Sequence, residues 1–277
     1  MELGKYNTLI ITRQTDNGLY LRDEMAEEVL LPNAYVPENF EFEEKIKVFV
    51  YLDSEERPVA TTLKPNAIVG DFAYMQVKDI SAHGAFLDWG VLKDLFVPFR
   101  EQIDPLTMGE WYIFYVYLDK ETDRIAASTR LNRFFQKDPI TVKDGEEVDL
   151  LIGHGSDLGY NVVVNNLHRG LIYRTEVFKK IKPGDRMKGY IKRVRPDGKI
   201  DVSIGGRGLE KVGGSAQVIM EKLKANGGLL RLHDKSDPKK IQSELEMSKK
   251  TFKKAVGGLY KRGLITLEKG GIKLAKK

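Results

Sequence analysis

Apolar and polar positions divide the chain into a long front of short, strand-like runs and a helical tail. The runs are clearest between residues 72 and 128. Phe72-Ala73-Tyr74-Met75-Gln76-Val77 leads into a polar turn; Gly84-Ala85-Phe86-Leu87-Asp88-Trp89 follows and is closed by Gly90. Then come Asp94-Leu95-Phe96-Val97-Pro98, the aromatic run Trp111–Leu118, a turn from Asp119 to Asp123, and Arg124-Ile125-Ala126-Ala127-Ser128. β-Branched and aromatic side chains suit a pleated, half-buried surface. Five such runs in about 70 residues, with no long 3.6-residue period, predict a small closed barrel of the OB type.

The pattern repeats. Gly18 and Gly84 lie 66 residues apart, and Gly84 and Gly159 lie 75 apart. The same shifts carry Leu30-Leu31-Pro32 onto Phe96-Val97-Pro98 and then Leu171-Ile172-Tyr173, Phe49 onto Tyr115 and Tyr190, and Thr62 onto Ser128 and Ser203. A recurring offset is the signature of tandem modules. The expected organisation is three barrels at 1–64, 65–138 and 139–208, followed by a fourth domain at 209–277. A glycine inside a strand marks a bulge or a close backbone approach. A bulge between His83 and Phe86 would turn both side chains onto one face. Phe49, Tyr115 and Tyr190 alternate with apolar neighbours and read as core.

Helical periodicity replaces alternation in the tail. Ser215 is a candidate cap for a helix carrying Val218, Ile219, Met220 and Leu223, ended by Asn226-Gly227-Gly228. Ser236-Asp237-Pro238 starts a second helix with Ile241 and Leu245 on one side. Ser248 starts a third, whose Phe252, Ala255, Val256, Leu259 and Tyr260 form a single apolar stripe ended at Gly263. Leu264-Ile265-Thr266-Leu267, the turn Glu268–Gly271 and Ile272-Lys273-Leu274 read as a two-stranded wing. The predicted fold is mainly β with an α+β tail: three five-stranded OB-type barrels and a C-terminal winged helix-turn-helix.

Charge sharpens this picture. The formal net charge is +5, but residues 1–64 carry 7 Lys/Arg against 13 Asp/Glu, whereas residues 209–277 carry 17 against 7. A chain running from an acidic front to a basic tail is built to meet a polyanion at one end. The recognition helix of a winged helix presents its N-terminal residues to nucleic acid. That places Lys249, Lys250, Lys253 and Lys254 as phosphate contacts, with Lys261 on the same helix and Lys269 and Lys273 on the wing. Gly257 could admit a phosphate backbone. With no cysteine, disulfides and thiolate metal sites are excluded. No leader-like start or membrane-length apolar run is present, so a cytoplasmic protein is expected.

Val77-x-x-Ile80-x-x-His83-Gly84-Ala85-Phe86-Leu87, then Leu95–Pro98, Asp119 and Arg124–Ser128, resemble the RNA-binding domain of ribosomal protein S1. That resemblance implies a binding face at His83, Phe86, Pro98, Asp119 and Arg124 in the second copy. In the first copy it implies Asn17, Tyr20, Pro32, Asp53 and Arg57, and in the third Leu158, Asn161, Tyr173, Val194 and Lys199. Pro32 and Pro98 depart from the ring expected there, and Val194 from the acid. Rings stack on bases, Arg124 and Lys199 can meet phosphate, and Asp119 can accept from a ribose hydroxyl or a base amine. The runs Val163–Tyr173 and Ser248–Lys261, with this domain order, resemble the conserved virulence factor B family of bacterial RNA-binding regulators. The family implies RNA binding and post-transcriptional control of gene expression rather than catalysis; single-stranded RNA is the expected partner, and no cofactor or metal is expected.

Four scattered histidines, His83, His154, His168 and His233, form no HxxxH or HExxH spacing, and Gly153-His154-Gly155-Ser156 lacks the order of a nucleophile turn. A non-enzymatic protein is expected. His154 and His168 are further candidates for RNA contact, or satisfied turn residues. Two other readings remain at this stage: a transcription factor that binds DNA through the winged helix, and an interaction scaffold suited to the acidic first copy.

Overall fold

The computed structural model describes residues 1–174, 177, 180–204 and 208–275, without the side chains of residues 208–214 and 217. The linker expected at Gly205-Gly206 lies outside the described residues. In the first barrel, β1 (Lys5–Thr15), β2 (Gly18–Arg22), β3 (Glu28–Pro32), β4 (Lys45–Leu52) and β5 (Pro58–Thr61) close in the order β1-β2-β3-β5-β4. The second uses β6 (Phe72–Ile80), β7 (Gly84–Leu87), β8 (Leu95–Pro98), β9 (Trp111–Leu118) and β10 (Ile125–Ser128) in the same circuit. The third repeats it with β11 (Glu147–Gly155), β12 (Gly159–Val164), β13 (His168–Tyr173), β14 (Arg186–Val194) and β15 (Ile200–Ser203). Three tandem five-stranded barrels are the architecture expected.

The repeated glycines have one cause. Gly18, Gly84 and Gly159 pair with Pro32, Pro98 and Tyr173 across their hairpins. A Cβ on any of the three would overlap the carbonyl oxygen of Leu31, Val97 or Ile172. The turn before each glycine is fastened alike: the hydroxyls of Thr15, Ser81 and Ser156 donate to the glycine carbonyls at 3.1 Å. The predicted bulge is displaced. Pairing passes from Val77↔Leu87 to Asp79↔Phe86, so Lys78 on β6 is the extra residue. Short β7 is held residue by residue to β8, and the longer β6 absorbs the irregularity. Equivalent shifts occur in β1 and β11.

Copy offsets also slip late in each module. Phe49, Tyr115 and Tyr190 face Thr61, Ser128 and Ser203, so Thr61 rather than Thr62 is the counterpart of Ser128. The second hairpin holds one more residue, closing at Leu118↔Ile125 where the first closes at Leu52↔Pro58.

Residues 1–135 and 136–277 form two compact units. Inside the first, alternation turns Val48 and Val50 into the barrel core and Phe49 and Tyr51 outward, where they meet the second barrel. Phe49 is thus buried against Trp89, its ring centroid 5.4 Å from the indole, rather than in its own barrel's core. Phe49 is therefore a core residue, as expected, but of the second barrel's core; Tyr115 and Tyr190 are only half-buried and lie outside the core. Tyr115 stacks on Phe134 at 4.1 Å, and the Tyr190 hydroxyl donates to Glu147 at 2.9 Å.

In the tail, α1 (Gly208–Ala225), β16 (Leu229–Leu230), α2 (Pro238–Leu245), α3 (Lys249–Lys261), β17 (Ile265–Glu268) and β18 (Gly271–Leu274) form a winged helix. Asp237 caps α2 by accepting from the Lys239 N–H, and Ser248 caps α3 by accepting from the Thr251 N–H. Phe252, Ala255 and Leu259 pack with Ile219, Leu223, Ile241 and Ile272. Three expectations change. Helix α1 begins at Gly208, leaving Ser215 in its interior; Gly213 and Gly214, whose cost is about 1 kcal/mol each, do not stop it. The wing gains a third strand, β16 on β18. Tyr260 is 54% exposed, because the buried stripe runs only as wide as α1 and the sheet can cover.

Gly84→Ala should destabilise the protein by about 2 kcal/mol or more, because its Cβ meets backbone that cannot retreat. Gly257→Ala, with no neighbour within 4 Å of the added carbon, should instead gain about 0.5–1 kcal/mol from helix propensity. Urea unfolding of both variants reads the two signs.

Candidate nucleic-acid interface

Residues from three stretches of the second barrel, 81–89, 93–100 and 119–126, converge on one cleft of about 480 Å³, and the first barrel completes it with Leu52 and Glu56. All five positions nominated in the second copy, His83, Phe86, Pro98, Asp119 and Arg124, line it. Phe86 is half-buried and packs beside Phe96, ring centroids 5.2 Å apart, so the outward edge of the β7–β8 hairpin presents two rings. Phe96 was not singled out from the sequence. Its signal was the register: Phe86 and Phe96 face each other across the hairpin. Pro98, where a ring was expected, leads instead into the short helical turn Phe99–Glu101 that delivers Arg100.

Arg100 is the second residue the sequence reading missed. Its guanidinium donates to Asp119 at 2.9 Å while staying 62% exposed. The turn that carries it is braced from behind: Arg130 donates to the Arg100 carbonyl at 2.8 Å, and Arg133 pairs with the buried Glu101 at 2.8 Å. Asp119 therefore orients an arginine, leaving part of that guanidinium toward solvent. His83 sits exposed in the turn before Gly84, its N–H donating to the Ser81 hydroxyl at 3.1 Å. Arg124 is ion-paired across the cleft with Glu56 of the first barrel. Lys93 donates to the Asp53 carbonyl at 2.7 Å, and burial pushes its pKa down.

In the first barrel the corresponding groups are engaged with one another. Arg13 lies 3.6 Å over the Tyr20 ring and pairs with Glu28 at 3.0 Å. Arg57 is held by Asp53 and Glu55, each at 2.8 Å. Burial would raise Asp53, but hydrogen bonds from the Arg57 N–H and guanidinium hold it below the usual carboxylate range.

The third barrel departs from its predicted correspondence. Lys192 is an extra residue between Ile191 and Arg193, so Val194 pairs with Ile200 as Leu52 pairs with Pro58. Arg195, not Val194, therefore stands where the other copies carry Asp53 and Asp119; its N–H closes the hairpin on Lys199 as theirs do on Arg57 and Arg124. The Arg195 guanidinium is hydrogen-bonded to the Tyr173 hydroxyl and pairs with Asp201 at 2.9 Å. Lys199 pairs with Asp197 at 2.8 Å. Leu158 is exposed, and Asn161 accepts from Arg169 at 2.9 Å. His168 is buried between the Thr141 hydroxyl at 2.8 Å and the Gln136 carbonyl at 2.9 Å, a structural histidine.

Cations of the winged helix are of another kind. Lys250, Lys253, Lys254, Lys261 and Lys269 are exposed and Lys249 half-buried. Among the described residues, these six show no ion pair with a carboxylate. Lys273 differs, lying 3.7 Å from Glu268 on the same hairpin. Because helical neighbours at i, i+3 and i+4 share a face, Lys249, Lys250, Lys253 and Lys254 concentrate charge at the start of α3, on the surface left by the buried Phe252 and Ala255.

Residues 3–63 match the S1 domain family and residues 217–274 the CvfB-like winged helix domain. The chain is 28% identical over 281 aligned residues to YitL of Bacillus subtilis strain 168, covering 98% of this chain and 93% of that one. It is 25% identical to conserved virulence factor B of Staphylococcus epidermidis strain ATCC 12228, covering 99% and 95%. From end to end, this chain is similar to conserved virulence factor B. A solved multidomain protein with nucleic acid binding domains from Streptococcus pneumoniae TIGR4 aligns over 98% of both chains at 23% identity, with a TM-score of 0.43. S1 and winged-helix domains bind nucleic acids, and neither matching family is enzymatic. Among the described residues, no helix is long and apolar enough to cross a membrane.

Proposed function

We propose that this chain is an RNA-binding protein that holds single-stranded RNA by base stacking and lysine–phosphate contacts, and that it acts in post-transcriptional control of gene expression. The observation carrying the reading is the second-barrel cleft, where Phe86, Phe96, His83 and the Asp119-held Arg100 converge. Rings on an OB-barrel surface accept unstacked bases without regard to sequence, whereas duplex bases are not free to stack. Arg124, Tyr20, Arg57, Tyr173 and Lys199 extend the proposed contacts over the three barrels. Lys249, Lys250, Lys253, Lys254, Lys261, Lys269 and Lys273 supply charge from the tail. The regulatory role rests on the resemblance to the conserved virulence factor B family, whose members are similar to this chain from end to end.

A second reading, duplex DNA as the partner of the tail, is favoured by one feature: the uncompensated lysines cluster at the start of α3, the element that enters a groove in helix-turn-helix proteins. Fluorescence polarisation of the full chain against single-stranded RNA and duplex DNA, at several salt concentrations, separates the two. Tight RNA binding with little duplex binding is expected; the reverse preference would replace the RNA reading with the DNA one.

Replacing Lys249, Lys250, Lys253 and Lys254 by Ala should weaken RNA binding and flatten the log-affinity against log-salt slope by about 0.7 for each phosphate no longer neutralised. An unchanged slope removes the tail from the interface. Phe86→Ala should weaken RNA binding by about 1–3 kcal/mol with little change in Tm, since the ring is only half-buried. A large thermal loss with unchanged affinity per folded molecule would make Phe86 a packing residue.

A further inference from the structure

The cleft belongs to two barrels, and the contribution of the first is an acid. Glu56 sits on the β4–β5 turn, lines the cleft and pairs with Arg124, with half of its side chain still exposed. That pair does little to hold the barrels together. The interface is already made by Phe49 and Tyr51 against Trp89 and by Lys93 on the Asp53 carbonyl, whereas a solvent-exposed ion pair contributes about 0–1 kcal/mol. Its local effect is on Arg124, whose positive charge is answered inside the protein.

The backbone at Glu56 points the same way. Glu56 adopts φ 65, the left-handed conformation, at the position where the second hairpin has Asp123 at φ 53 and the third has Gly198 at φ 77. Short polar residues and glycine tolerate that conformation best. The first barrel instead carries a long carboxylate there, and this carboxylate reaches the neighbouring barrel.

We infer that Glu56 is a specificity-determining residue of the second barrel's site: an internal substitute for phosphate that occupies Arg124, so that a ligand engages this cleft through its bases before its backbone. The inference rests on the RNA reading given above. With Arg124 matched to Glu56 and Arg100 to Asp119, the rim is close to neutral around the Phe86 and Phe96 rings, which suits an uncharged, planar nucleobase. A phosphate can use Arg124 only by displacing Glu56, so the acidic first barrel filters ligands at its neighbour's site.

The test is polarisation of the full chain with single-stranded RNA across a salt series, for the parent protein, Glu56→Gln, Glu38→Gln and Arg124→Gln, and for Glu56→Gln combined with Arg124→Gln. Glu38 is an exposed acid of the same barrel and controls for removal of one negative charge. Glu56→Gln should bind about two- to fivefold tighter, the range of an exposed ion pair, with a salt slope steeper by about 0.7. Glu38→Gln should do neither, and the gain should vanish when Arg124 is also replaced. Glu56→Gln binding like the parent, or more weakly, would overturn the inference while leaving RNA binding intact. So would a gain that survives Arg124→Gln. A parent protein with no affinity for RNA would overturn the RNA reading and this inference together.

Discussion

The first two barrels are organised by one contact, the edge-on seating of Trp89 against Phe49 and Tyr51. The two ring pairs lie 5.4 and 6.0 Å apart at nearly perpendicular angles, and the indole N–H is satisfied by the Ala67 carbonyl at 2.8 Å. Aromatic pairs gain beyond their buried area in this geometry, and the outward rings of β4 thereby join the second barrel's core. Two consequences follow for the cleft. The β4–β5 turn is brought to its rim, placing Asp53 against Lys93 and Glu56 against Arg124. The β7–β8 hairpin is left with its outer rings facing the same space. A site that resembles a single module from the sequence is therefore assembled by two.

The fold was legible in the sequence because its determinants are local. A glycine that must let one strand press against the next carbonyl is needed wherever the hairpin recurs, so Gly18, Gly84 and Gly159 mark the copies faithfully. Caps such as Asp237 and Ser248 act on the adjacent turn and are equally visible. Errors arose where one extra residue is absorbed without changing the fold. Lys192 shifts the third copy by one position and the longer second hairpin shifts the second. A fixed offset carried past the first point assigns Val194 to a place that Arg195 occupies, and carried past the second it sets Thr62 against Ser128. The third barrel thus presents a cation where the others present an acid, and Asp201 from β15 supplies the carboxylate.

The candidate site was legible only in part, for a physical reason. The resemblance pointed to His83, Phe86, Asp119 and Arg124, which occupy one strand position and two turns. It could not supply Arg100 or Glu56, whose roles depend on partners 19 residues away in sequence and in another barrel, respectively. Composition also merges two populations of cations. The arginines at the corresponding barrel positions and beside them are matched: Arg13 to Glu28, Arg57 to Asp53, Arg100 to Asp119, Arg195 to Asp201. The lysines at the start of α3 are not matched among the described residues. Net charge counts both alike.

That distinction bears on how a polyanion would be received. A guanidinium held by a carboxylate is fixed in direction and offers its remaining N–H groups at a defined place, which favours discrimination over attraction. An unmatched lysine on an exposed helix face offers charge with little direction, which favours capture and strong salt dependence. The chain places the first kind beside aromatic rings in the barrels, and the second on a helix where, among the described residues, Tyr260 is the one exposed ring. Under the proposed function, capture and reading would be separate tasks given to separate domains. On this view the acidity of the first barrel is no obstacle to nucleic-acid binding, because drawing in the backbone is left to the tail, and a ring-lined cleft gains selectivity when phosphate is made to compete for its arginines.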